Sequence, residues 1–556
     1  MKLESKRLFH GPSPFSSRPV VVATLDAPEV TPAQATEVAK RMEGVFSNWF
    51  SSHVETQQDA ELYIGQFLAS WSLAALNYRR GYVQEAGAKY VGDTVHLWLE
   101  YHHPQVAINC LETASRLFQG IGMGQLSADQ VRSALQNLLV QCARHHPDYQ
   151  ARILMIAARD RDIPYLQHQP GTKFWQFGWG VNSTTFFETR SSKEPHFGIE
   201  MAGDKSLAKR IMMMLGVPVV QHVLVRSEGD LAAAADKVGW PCVVKPLDAS
   251  MAKGVTTDLR NLEELTAAFT AARQHTQGPI MVESKVPCDV PRLLVVRGKL
   301  AVAIRRQSPF VIADGRSSVR ELVQQLNEGR PNKGNSVGRQ GRVPEDEEYR
   351  VTLAKQELTP ESVPESGRKV ILRRIPFQYV GGVNTNVTAQ AHPDVKVMSE
   401  TLSVSLGIDI AGLDYVTEDI GQSFHQGGAV VEINLNPDLP PLVDHNNDES
   451  ALGGMVLGDE PGRIPLHLLL LQEDAVEAFS DQLNLGEGWG WVCNGKIGVG
   501  TTTLTMPPAP MTVATMNLLK NRTVQQALVI ATLAQLLEYG LPVDRVDRVL
   551  MQERSI

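Results

Sequence analysis

The sequence predicts a multidomain protein of the α/β (α+β) class, and three observations predict it. At 556 residues the chain is too long for a single hydrophobic core to organise. Its 43% hydrophobic and 21% charged residues are the proportions of a folded, soluble globular protein. Between about residues 166 and 475, short apolar β-branched runs bounded by Gly or Pro alternate with segments of helical period.

Taken in chain order, residues 1–165 form a first α+β domain, with a strand at Pro19–Leu25 and helices at Ala60–Tyr78 and Val131–Arg144. Residues 166–475 form the second domain. Its strands are read at Cys242–Lys245, Ile280–Glu283, Arg292–Val296, Val370–Leu372 and Ala429–Ile433, with an amphipathic helix at Leu262–Gln274. Within it, Asn327–Gly367 has little apolar periodicity and carries Arg330, Lys333, Arg339 and Arg342. It reads as a long connection, either a solvated loop or a lid that meets anionic ligands. Residues 476–556 form a short tail with a Pro-rich patch and a helix at Val524–Tyr539.

A formal net charge of −8 disfavours nucleic acid as the main partner, because a phosphate-backbone binder presents a basic face. The five cysteines, Cys110, Cys142, Cys242, Cys288 and Cys493, are scattered and form no C-x-x-C pair, as suits a reducing compartment. The first residues lack the apolar core of a signal peptide. The longest aliphatic run, near Leu466–Leu471, is too short to span a bilayer. The expectation is a cytoplasmic protein without a membrane partner.

Two motifs fail on inspection. Cys493–Leu504, CNGKIGVGTTTL, imitates a phosphate loop, but Ile497 stands where the hydroxyl residue after Gly-Lys belongs, so a β-hairpin is the better reading. The two His-His-Pro triplets, at His102–His103 and His145–His146, read as surface or capping histidines, because adjacent side chains point apart.

Four segments together carry chemistry. Gly203-Asp204-Lys205 opens a helix and places a lysine near phosphates. Val243-Val244-Lys245-Pro246 ends a strand in a lysine, a compact cation suited to phosphate, and leads through small residues to Lys253-Gly254, where backbone N–H groups can approach a ligand. Val282-Glu283 to Val286 leaves a strand as a hinge whose backbone would meet an adenine edge and whose Glu283 would hold a ribose hydroxyl. Asp414, Glu432 and Asn434 converge from two apolar strands as hard oxygen donors, the set magnesium takes. Arg292, Arg305, Arg306, Arg373 and Arg374 sit near strand ends, where one or two of them would stabilise a phosphoryl group or grip a carboxylate.

In this order the segments resemble the ATP-grasp superfamily, and within it the ATP-grasp part of the cyanophycin synthetases. Gly381-Gly382, His392-Pro393 and Ile408-Asp409-Ile410-Ala411-Gly412-Leu413-Asp414 extend the likeness over roughly residues 195 to 440. HGPSPF near the N-terminus matches that family's first domain more loosely. The resemblance implies an ATP-grasp fold with a short C-terminal helical tail, and an enzyme that is an ADP-forming carbon–nitrogen ligase. ATP would phosphorylate a carboxylate of an amino acid or peptide, and an amine would displace the phosphate. Lys205 and Lys245 would bind phosphates, with Lys253, Gly254, Glu283 and Val286 completing the ATP site. Asp414, Glu432 and Asn434 would hold Mg2+, and Arg305 and Arg373 would act in catalysis. A homo-oligomer, dimer or tetramer, is implied in the same way.

Three departures limit that transfer. Ala249 and Ala252 stand in the small-residue loop where glycines are expected. Leu435-Asn436-Pro437-Asp438 follows Asn434 in place of small and basic residues, so the family's amino-acid specificity does not carry over. The tail resembles only a remnant of the family's Mur-ligase-like domain and lacks its phosphate loop. These departures keep a second reading open, a non-catalytic ATP-binding subunit that partners a complete synthetase.

Overall fold

The computed structural model describes residues 1–552 apart from 28, 48, 170, 248–253, 286–289, 331–339, 375, 440–448 and 505–508. The chain divides into two compact units, one of residues 1–188 with 457–556 and one of residues 189–456.

The first unit begins with a four-stranded antiparallel sheet in the order Lys2–Phe9, Val20–Asp26, Thr94–Glu100, Ala86–Val91. Helices Pro32–Phe46, Ala60–Tyr78, Pro104–Gly122 and Ala128–His145 bury their apolar stripes in one core with it, around Trp71, Phe67 and Leu97. Thr31 and Ser127 start two of these helices with capping boxes that satisfy the first free N–H groups. The strand and the helices expected in this region are present.

Residues 457–552 depart from the expected helical tail. They form a six-stranded sheet in the order Thr502–Leu504, Lys496–Val499, Trp489–Cys493, Gln526–Ala531, Leu466–Leu470, Arg548–Met551. The helix expected at Val524–Tyr539 is a buried parallel strand, Gln526–Ala531, followed by a short helix, Leu533–Tyr539. A continuous apolar run such as ALVIA has no period that separates a buried strand from a helix. The CNGKIGVG hairpin is as expected, turning at Asn494-Gly495 between paired strands.

The histidine pairs also depart from expectation. They meet in the interior of this unit, where the rings of His103 and His145 lie 4.4 Å apart and those of His102 and His146 6.0 Å apart. His102 Nε2 is 2.6 Å from the Gly81 carbonyl and His146 Nδ1 is 2.9 Å from that of Arg79. Each triplet lies at a helix end, and packing of the helices at Pro104–Gly122 and Ala128–His145 brings the two ends together.

Among the described residues the second unit holds two larger antiparallel sheets. One has the order Thr256–Leu259, Cys242–Pro246, Ile280–Ser284, His222–Val225, and the other Val383–Asn386, Lys299–Gln307, Arg292–Val296, Ile410–Val416, Ala429–Asn434. Part of the expected long connection is ordered structure, since Glu347–Ala354 is a helix, packed with the preceding helix Val319–Asn327 and the antiparallel strand pair of Phe310–Ile312 and Lys369–Ile371. Cys110, Cys142, Cys242 and Cys493 are buried. Among the described residues no helix is long and apolar enough to cross a membrane.

The buried histidines make the first unit acid-sensitive. Burial, then His146 and Arg159, pushes His102 down to about 3; burial, with His103, His145 and Arg80 adding to it, lowers His146 to about 4. The unfolded chain takes up protons near pH 6.5 and the folded chain does not, so stability falls as pH drops from 6.5 towards 4. The expected loss at pH 5 is roughly 2 kcal/mol for each of these two histidines. Thermal denaturation between pH 7.5 and 5 should show a falling midpoint, with a flatter pH slope in His102→Gln; a midpoint constant over that range would contradict the account.

Candidate nucleotide and metal site

The second unit gathers most of the sequence-predicted site residues around one helix, Lys205–Met214. Asp204 caps it, its carboxylate accepting from the N–H groups of Ser206 at 2.9 Å and Leu207 at 3.0 Å. Lys205 and Lys209 are four residues apart and so share a face. Lys205 Nζ lies 3.9 Å from Glu432 in one sheet, and Lys209 Nζ lies 2.9 Å from Glu283 in the other. The helix therefore ties the two sheets through charge.

Glu283 is the centre of the first cluster. Strand alternation puts Lys245 and Glu283 on one face, since Val243 is the register partner of Glu283 and Lys245 lies two residues on. Lys245 Nζ is 2.7 Å from Oε2, while Lys209 holds the Oε1 side. Exposure is 3% for Glu283, 1% for Lys209 and 7% for Lys245, so all three charges are buried. The Lys209–Glu283 approach is close but off the line of a hydrogen bond, which leaves both of those atoms without a hydrogen-bond partner. Burial raises the Glu283 carboxyl, but Lys245 and Lys209 more than offset it and hold it below the usual carboxylate range. Burial lowers the Lys209 ammonium despite the opposing pull of Glu283. Glu283, expected at a ribose hydroxyl, is here committed to two ammonium groups.

The second cluster is a row across three adjacent strands. Arg292 is the register partner of Asp414, and Asp414 of Glu432, so the three side chains share one face of the sheet. Arg292 grips Asp414 bidentately, Nε to Oδ1 at 2.7 Å and Nη2 to Oδ2 at 3.1 Å. Asn434 donates to the same Asp414 at 3.4 Å and to the Gly412 carbonyl at 3.3 Å. A Cβ at Gly412 would sit 2.9 Å from Arg292 Nη1, so glycine there lets the guanidinium lie against the strand. Asp414, Glu432 and Asn434 thus come together as hard oxygen donors, the chemistry a divalent cation such as magnesium takes. Among the described residues no three His, Cys, Asp or Glu side chains group as a metal site, and the donors gathered here are two carboxylates and an amide.

The remaining predicted residues lie elsewhere or outside the described residues. Arg373 is buried in a different subassembly, donating to Asp346 at 2.6 Å and to Glu348, and so is committed to the start of the helix Glu347–Ala354. Arg305 is opposite Thr385, on the sheet face opposite that of Arg292 and Asp414, because its neighbour Ile304 is the partner of Arg292. Gly254 has φ +69, and its position packs on Pro246 and His275. Lys253 and Val286 lie outside the described residues. Sequence reasoning passed over Lys209, whose one signal is its spacing of four from Lys205.

No family model matches the chain. It is 32% identical over 380 residues to a cyanophycin synthetase of Nostoc sp., across 66% of this chain and 42% of that protein. The chain is a homologue of the cyanophycin synthetases. A Synechocystis sp. cyanophycin synthetase is 29% identical over 378 residues, 66% of this chain and 43% of its own. The match therefore spans less than half the length of these cyanophycin synthetases. A glutathione biosynthesis bifunctional protein of Streptococcus thermophilus is 26% identical over 247 residues, 42% of this chain and 32% of its own. Among solved structures, a bifunctional glutathione synthetase from Pasteurella multocida aligns with a TM-score of 0.44 at 19% identity, over 63% of this chain and 51% of that one.

The buried cluster predicts an asymmetry in stability. Glu283→Gln leaves two buried ammonium groups without their carboxylate and should cost about 3–5 kcal/mol. Lys209→Met leaves Glu283 still paired with Lys245 and should cost clearly less. Urea denaturation of both variants checks this; equal losses would mean that Glu283 is not the charge on which the cluster depends.

Proposed function

We propose that the 189–456 unit is an ATP- and magnesium-dependent carboxylate–amine ligase of ATP-grasp type, acting on an amino acid or peptide. The observation that carries this reading is the charge arrangement. Lys205, Lys209 and Lys245 gather around Glu283 and Glu432, and ammonium groups clustered in this way are matched to a polyphosphate. Beside it, Asp414 and Glu432 stand opposite one another on neighbouring strands. The Nostoc and Synechocystis relatives are named synthetases, which supports the same reaction class.

In this reading Lys205 and Lys245 meet the phosphates, and Lys209 keeps Glu283 in place beneath Lys245. Asp414, Glu432 and the Asn434 carboxamide oxygen would hold magnesium, which supplies charge neutralisation between phosphates when bound. Arg292 fixes the Asp414 carboxylate bidentately. The substrate carboxylate takes the γ-phosphoryl group and releases ADP; the amine then attacks the acyl carbon, the C–N bond forms, and phosphate leaves with the C–O electron pair. No side-chain nucleophile is required, so positioning and electrostatics provide the rate enhancement.

Phosphate release from ATP and Mg2+ by the purified full chain, against a panel of amino acids and short peptides, tests the proposal. Release should depend on both a carboxylate and an amine, and should fall by about 100-fold or more in Asp414→Ala/Glu432→Ala. ATP binding with no release for any pair would favour the non-catalytic nucleotide-binding subunit. Absence of ATP binding would remove the site assignment.

A further inference from the structure

The second unit has a cavity that neither the nucleotide nor the metal reading uses. Its volume is about 780 Å3, and it lies where the helix Lys205–Met214 ends. One wall is the segment that crosses between the two larger sheets. Val219 bridges Val430 in parallel, with the Val430 N–H donating to Pro218 at 2.8 Å and the Val220 N–H to Val430 at 3.3 Å, which joins this stretch to the five-stranded sheet. Just beyond, His222–Val225 is the edge strand of the four-stranded sheet. Met213 lines the cavity from the last turn of the first helix, and Lys237 from the helix Leu231–Val238. Phe424 and His425 line it from the turn before the strand Ala429–Asn434. Neither Lys245 and Glu283 nor Asp414 and Glu432 are part of this lining, so the cavity is distinct from both clusters.

The lining says what chemistry the cavity takes. The chain carries 61 acidic against 53 basic residues, yet the cavity is lined by Lys237, His222 and His425 and by no carboxylate. Among the described residues no hydrogen bond or ion pair engages the Lys237 ammonium or the His425 ring. The Phe424 ring packs 4.1 Å from that of His425, and Met213 and Val219 continue an apolar wall. A cation without a protein partner beside an aromatic ring fits a molecule with one anionic group and one flat apolar part.

Its position gives such a molecule a consequence. Lys237 is carried by a helix whose Leu231 and Val238 pack in the core of the four-stranded sheet, while Phe424 packs on the core of the five-stranded one. Lys205 and Lys209 join the same two sheets from the helix that carries Met213. His222 is the register partner of Glu283 and shares its face, one strand away from the buried Lys209–Glu283–Lys245 cluster. A ligand held between these walls favours one spacing of the sheets, and linkage then ties its affinity to that of a nucleotide held by the lysines.

We propose that this cavity is an effector site for a small organic anion, a carboxylate or phosphate ester with an aromatic body, coupled to the nucleotide site through the helix Lys205–Met214. The coupling rests on the nucleotide reading of the lysines; the binding does not.

The test is calorimetric titration of the full chain with phenylacetate, phenyl phosphate and the neutral phenylacetamide. At least one anion should bind with a Kd of about 1 mM or tighter, in keeping with roughly ten heavy atoms. It should bind about 10-fold more tightly than the amide, and the two anions report which head group the site takes. Lys237→Met, at an exposed position, should remove the preference for charge. Met213→Glu sets a carboxylate in the cavity and should abolish anion binding while sparing the amide. Saturating anion should change the affinity for a non-hydrolysable ATP analogue by about 5-fold or more, and the analogue should change anion affinity by the same factor. Without the anion, Lys237→Met should bind the analogue as the wild type does.

No anion bound at millimolar concentration, equal affinity for anion and amide, or a preference kept by both variants would overturn the proposal. So would an effect on the ATP analogue that grows without saturating, since that is competition at the nucleotide site. Charge-selective binding lost in Lys237→Met, by a chain that binds no ATP analogue, would remove the nucleotide reading and the coupling and keep the anion site. Nucleotide binding with no anion bound would do the reverse.

Discussion

A single carboxylate, that of Glu283, holds the second unit's charged interior together. Three formal charges this deeply buried would each be unfavourable alone, and two ammonium groups on one carboxylate leave an excess of positive charge. The excess has a structural origin. Lys245 is carried by a strand beside Glu283, while Lys209 comes from a helix whose next lysine-bearing turn reaches the other sheet. Placement of that helix therefore bears on the charge balance of both sheets.

The second sheet answers with the opposite arrangement. Its row of Arg292, Asp414 and Glu432 carries one cation and two carboxylates, with the Asn434 amide alongside. An excess of cations on the helix and an excess of oxygen donors on the row form the polarity that a metal–polyphosphate complex matches, anion to the lysines and cation to the carboxylates. Arg292 tempers the row, since a bidentate partner keeps the Asp414 carboxylate oriented in a half-buried setting.

Much of the fold was legible as periodicity. The helix Ala60–Tyr78 and the strands at Cys242, Ile280, Arg292 and Ala429 declare themselves by apolar spacing and by Gly or Pro at their ends. The strand Gln526–Ala531 did not, because it is apolar on both faces and so carries no alternation to read. The two His-His-Pro triplets looked like surface features because each was judged alone; their meeting depends on helix packing across the 41 residues between His103 and His145. Within the site, Asp414, Glu432, Asn434, Lys205 and Lys245 could be picked out by residue type at strand and helix ends. Lys209 could not, since Lys205 four residues earlier was the better candidate, and Arg306 was one of five arginines that residue type alone does not separate.

The amino-acid sequence by itself determined the class of the protein, the elements that alternate in it, and a set of acids and bases matched to phosphate and metal. Those properties are local, fixed by the period of apolar residues and by which side chains end a strand. Tertiary structure alone decided which of five arginines share a face with Asp414, and which lysines close on Glu283. That choice depends on strand register, where a shift of one residue sends a side chain to the opposite face. It placed Arg306 on the site face, put Arg305 behind it, and committed Arg373 to Asp346 and Glu348.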